Sequence, residues 1–182
     1  MAVRTAIPDI AALCRKAERE AYRALHARSR LGKADHFLNF CITAHSLRDY
    51  YLEFADVSPG PQRGPYHAQW DRDTMNVAVK EIANLAKHFV LRESRSKVSP
   101  KTRRLAHTPS TVGDLFVRPD KNIEIIPRPA RNIFVTTEDG VTHELWTFQV
   151  DVLEYWRDYL RTNGVRVRRE SLKNLLDLPA GA

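Results

Sequence analysis

Residues 37–54 read FLNFCITAHSLRDYYLEF, and the pattern of this stretch decides the fold. Phe37, Phe40, Cys41, Ala44, Leu47, Tyr51 and Leu52 recur at intervals of three and four, the period of one face of an α-helix. Asp35 is placed to cap that helix, because a short acceptor side chain satisfies amides left open in a first turn. Its apolar face calls for further helices. Upstream, Asp9 follows Pro8 and opens a first helix whose stripe is Ile10, Leu13, Cys14, Ala17, Ala21, Ala24 and Leu25, with Gly32 as its expected end. Downstream, residues 58–65 (SPGPQRGP) hold three prolines and two glycines and read as a loop. A third helix is expected from Asp71 or Asp73 to about Arg92, with Met75, Ala78, Val79, Ile82, Ala86 and Phe89 turned inward.

Beyond it the character changes. Residues 92–104 (RESRSKVSPKTRR) set Arg92, Arg95, Lys97, Lys101, Arg103 and Arg104 against one acid, Glu93, and read as an exposed basic loop. Residues 122–126 and 132–137 look extended, separated by Pro127 and Pro129. Asp139-Gly140 stands between two β-prone runs, a strong hairpin signal. A last helix is expected over 149–162, stopped by Asn163-Gly164, with a short amphipathic piece at 171–178. Trp70, Trp146 and Trp156 read as core or hairpin anchors. The expected fold is α+β, mainly α: a helical bundle followed by a β-hairpin and a closing C-terminal helix. The expected organisation is one domain over 1–182, with a helical core at 8–92, a basic loop region at 93–121, and the hairpin plus helix at 122–178.

Composition bounds the function. With 43% apolar and 28% charged residues in 182, the chain can fill a core. Cys14 and Cys41 lie among apolar residues and form no CxxC pair, so buried thiols in a reducing compartment are expected. No apolar run approaches the length of about 18 residues needed to span a bilayer. Residues 1–9 lack the apolar core of a signal peptide, so a cytoplasmic location and no membrane partner are expected. The net charge of +7 suits a polyanion such as RNA. None of the seven histidines forms an HxH or HxxxH pair, and no phosphate loop, GxGxxG, HExxH or GxSxG is present. Neither a metal nor a cofactor is expected.

The most informative stretch is 82–89, IANLAKHF. Asn84 and His88 fall one turn apart on a polar flank, with Lys87 beside them. A His can move a proton near neutral pH, a Lys offsets phosphate charge, and an Asn orients a hydroxyl or an imidazole. RNA carries its own nucleophile, the 2′-hydroxyl, so this set requires no metal. The Asn84-x3-His88 spacing, on a helix expected to pack against residues 36–54, resembles the core motif of HEPN domains, helical bundles found in toxin, phage-defence and RNA-processing ribonucleases. The stretch 37–54 also resembles an N-terminal helix of HEPN-like bacterial proteins. The resemblance covers roughly residues 8–92.

It implies an RNA-binding protein, either a metal-free or a degenerate ribonuclease, in a bacterial defence or mobile-element setting, acting as a homodimer. In this reading His88 is the acid/base or phosphate ligand, Asn84 orients and Lys87 supplies charge. Arg48 and Asp49 complete the site, while Arg92, Arg95, Lys97, Lys101, Arg103 and Arg104 hold the RNA. The chain departs from the family at one point: the motif's Arg position falls on Ala83, with Lys87, Lys80 and Arg48 as candidate replacements. The alternative from another class is a non-catalytic adaptor that docks a protein on the bundle face or the hairpin edge.

Overall fold

The computed structural model describes residues 7–88, 104–117 and 123–170. Helix α1 (Ile10–His26) begins where Asp9 Oδ1 accepts from the Ala12 amide at 2.6 Å. Helix α2 (Arg30–Phe54) starts earlier than Asp35, because Ser29 is its cap: the Ser29 hydroxyl accepts from the Gly32 amide at 2.9 Å. Gly32 therefore lies in the first turn of α2 and does not end α1. A Cβ at Gly32 would stand 3.0 Å from Ser29 Oγ, so the missing side chain lets the cap close. Lys33, itself buried, donates to the Leu25 carbonyl at 3.0 Å and satisfies the open end of α1. With only three residues between them, α1 and α2 form a helical hairpin.

Residues 58–65 are more ordered than a loop. A 3-10 turn (Pro61–Arg63) leads into a short helix, α3 (Gly64–Trp70). Pro65 is tolerated there because the first helical turn needs no amide donor. Trp70, fully buried, anchors α3 in the core. Helix α4 (Thr74–His88) is capped by Asp73, whose Oδ1 accepts from the Asn76 amide at 2.7 Å. The expected continuation to 92 lies outside the described residues.

The sheet has three strands in the order β1 (Arg104–Val117), β2 (Ile123–Thr136), β3 (Thr142–Glu144), all antiparallel. The hairpin at Asp139-Gly140 is present. Gly140 takes φ 84°, and Asp139 Oδ1 accepts from the Thr137 hydroxyl and the Val141 amide. Two expectations fail here. Residues 104–117, assigned to the basic loop region, form a strand. Pro127 and Pro129 do not divide the extended stretch; both lie inside β2.

The reason is the direction of the backbone amides. Thr137 N donates to Val141 O at 3.0 Å, on the β3 side. Alternation then turns the odd positions of β2 away from β1. Ile133 agrees, since its amide is met by Asn132 Oδ1 at 3.0 Å. Pro127 and Pro129 are odd positions beyond the reach of β3, where no donor is required. Pro109 on β1 faces Arg131, a pair of the same class.

Helix α5 (Leu145–Thr162) follows β3 without a break, four residues earlier than expected. It ends as expected at Asn163-Gly164, where Gly164 takes φ 81° and Val165 N reaches Leu160 O at 2.8 Å. The architecture is α+β and mainly helical: α2 packs between α1 and α4, α5 closes over α1, and Ile133 and Val135 of β2 join the core. An aromatic cluster fills the centre, with Tyr51 4.9 Å from Tyr159 and Trp70 5.7 Å from Trp156. No helix among the described residues is long and apolar enough to cross a membrane.

Candidate nucleic-acid interface

The sequence places its site on α4. The last described turns carry Asn84, half-buried, and end at His88; the side chains of Lys87 and His88 lie outside the described residues. Ala83 is fully buried, so the position matching the family's Arg points into the packing between helices and not toward solvent. A guanidinium there would have to leave water unpaired. Arg92, Arg95, Lys97, Lys101 and Arg103 also lie outside the described residues. Arg104 opens β1, opposite Thr136.

Arg48 is not a free cation. It is 3% exposed; Nη1 donates to Asp71 Oδ1 at 2.7 Å and Nη2 to the Asn76 carbonyl at 3.2 Å. Its guanidinium lies 5.6 Å from the Trp70 ring centre, where the aromatic face favours a cation. Asp71 also takes Lys80 Nζ at 2.6 Å. Burial works against ionising Asp71, but hydrogen bonds from Lys80 and Arg48 outweigh it and hold the carboxyl below its ordinary value. Asp49 is exposed and takes no part in this cluster. Along α4, Asn76 and Asn84 are eight residues apart, about 12 Å. The structure thus ties Arg48 to the start of α4, whereas Asn84 sits near its end. Lys80 lies between, one turn before Asn84, with its charge directed at Asp71.

Acids elsewhere are similarly engaged. Glu18 accepts from Arg157 at 2.9 Å and from the Glu170 amide at 2.8 Å. Glu154 accepts from Arg157 at 3.0 Å and Arg169 at 3.2 Å, and Glu170 pairs with Arg19. Arg28 and Arg30 at the α1–α2 turn, and Arg166 and Arg168 after α5, are exposed. Both thiols are buried: desolvation pushes Cys14 up to about 11 and Cys41 well above its ordinary value, which makes them poor nucleophiles. No cluster of His, Cys, Asp and Glu suited to a metal occurs among the described residues.

One feature escaped sequence reasoning. A groove between α1 and α5 is lined by Tyr22, Trp146, Gln149 and Arg157 among others. Trp146, expected as an anchor, is 49% exposed, and Gln149, expected at the helix start, is fully buried. The only signal was spacing: 146, 149, 153 and 157 recur at helical intervals once α5 is extended to Leu145. Compared with known proteins, the chain matches no family model, no curated protein and no solved structure.

Proposed function

We propose that this chain binds RNA through the junction where α4 gives way to β1, and that it binds without cutting. The observation that carries this reading is the placement of charge. Residues 92–104 hold six Lys and Arg against Glu93, and they follow directly on the turn bearing Asn84, Lys87 and His88. Asp71, before the start of α4, is already occupied by Arg48 and Lys80. Phosphates at this junction meet a segment whose sequence sets six cations against one acid, the charge excess that counterion release on binding requires. Binding is favoured over cleavage because Ala83 is closed to solvent and Arg48 is held by Asp71, so neither position offers a guanidinium to stabilise a charged transition state.

The test is a filter-binding assay with labelled single-stranded and hairpin RNA in EDTA, comparing the chain with a Lys97→Glu/Lys101→Glu/Arg103→Glu variant. The expected result is binding without cleavage, weakened by at least about tenfold in the variant. No binding at low salt contradicts the reading. Cleavage in EDTA that His88→Ala abolishes would instead establish a metal-free ribonuclease. The adaptor reading is favoured by one observation, the exposure of Val141 and Trp146 on either side of β3; it predicts no RNA retained at any salt.

A further inference from the structure

The groove between α1 and α5 holds three buried polar atoms without hydrogen-bond partners among the described residues: Gln149 Oε1, Gln149 Nε2 and Arg157 Nε. Buried polar atoms are nearly always satisfied, and each one left open costs about 1–3 kcal/mol. Three such atoms lie on this one groove, where water or a ligand can supply the partners. Gln149 is fully buried, with its acceptor and donor side by side. Trp146 precedes it by one turn on α5 with its indole half exposed, and Tyr22 lines the groove from α1.

The volume is about 200 Å³, below the range of drug-sized pockets and suited to a single ring system. The charges cancel, since Arg157 and Arg169 stand against Glu18 and Glu154, Arg157 pairing with both acids and Arg169 with Glu154. A neutral, aromatic-walled slot with an amide at its floor suits a heterocycle better than a phosphate.

We propose that this groove binds a nucleobase, and adenine best of the four. Trp146, half exposed one turn before Gln149, stacks on the ring. Gln149 Oε1 accepts from the exocyclic amine while Nε2 donates to N7, the two-point pairing by which a carboxamide reads adenine. Arg157 Nε donates to a second ring or sugar acceptor. The groove shares no residue with the α4–β1 junction, so it stands or falls independently of RNA binding there.

Calorimetric titration of the full chain with adenosine tests it, with ribose 5-phosphate as the phosphate control and an oligoadenylate to separate a free nucleoside from a base in a strand. Trp146→Ala alters an exposed side chain. Gln149→Leu removes an unsatisfied amide while keeping its bulk, which leaves the fold intact. The expected result is saturable adenosine binding, at least tenfold weaker in each variant, with none for ribose 5-phosphate. Equal affinity for adenosine and oligoadenylate assigns the groove to a free nucleoside; tighter oligoadenylate binding assigns it to a base in a strand. No heat with adenosine, or binding that both variants leave unchanged, overturns the proposal. RNA retained by the chain while adenosine fails would sink the groove alone. Adenosine bound while RNA fails would sink only the junction reading.

Discussion

Arg48 illustrates how a side chain's role follows from what surrounds it. A cation on the flank of a helix reads as available for phosphate, but its partner Asp71 is 23 residues away, and nothing in the local pattern of α2 reveals that pairing. Asp71 is 33% exposed, so solvent screens the pair and its loss costs less than the ~3–5 kcal/mol of a fully buried ion pair. Arg48→Met is expected to cost about 2 kcal/mol of stability at neutral pH, read from urea unfolding. The pH dependence has a definite sign. Asp71 is held below its ordinary value of 3.8, so its contribution is fully present above that value and is lost as pH falls through the lower folded value. The gap between wild type and Arg48→Met should therefore narrow on acidification through this window; a gap that stays constant would show that the guanidinium acts by packing alone. The helix that carries Asn84, Lys87 and His88 was legible from its apolar spacing, and α4 runs to His88. Gln149 was not, because a buried amide without a partner is visible only once α5 is packed on α1.

At the scale of elements, the helices were legible where apolar residues recur every three or four positions, as on α1, α2 and α4. The turn at Asp139-Gly140 was legible from its two residues. The prolines misled for a physical reason. A proline breaks a strand only where its amide would bond a neighbour, and that depends on register, which no local pattern reveals. At 109, 127 and 129 the missing donors fall on outer edges of the β1–β2 ribbon, where they withhold the groups another chain would need to pair. Replacing both Pro127 and Pro129 with Val should leave the circular dichroism spectrum unchanged and increase self-association in light scattering. Unchanged scattering would mean that the outer edge of β2 is already covered. Helix α3 was hidden in the same way, since its Gly and Pro sit in a first turn that tolerates both.

At the scale of the whole molecule, charge is distributed unevenly along the chain. Asp71, Glu18, Glu154, Asp158 and Glu170 are engaged by cations within the fold, while the sequence of 92–104 holds six cations and one acid. A net charge of +7 distributed this way implies long-range attraction for a polyanion, with contacts that salt weakens. The central claim is that these cations meet RNA phosphates. Its most direct test is the affinity of the full chain for single-stranded RNA across a series of salt concentrations, beside the Lys97→Glu/Lys101→Glu/Arg103→Glu variant. The expected result is a steep linear fall of log affinity with log salt, and a slope shallower by about 2 in the variant, which loses three phosphate contacts at about 0.7 each. Identical slopes for the two proteins, or an affinity indifferent to salt, would contradict it.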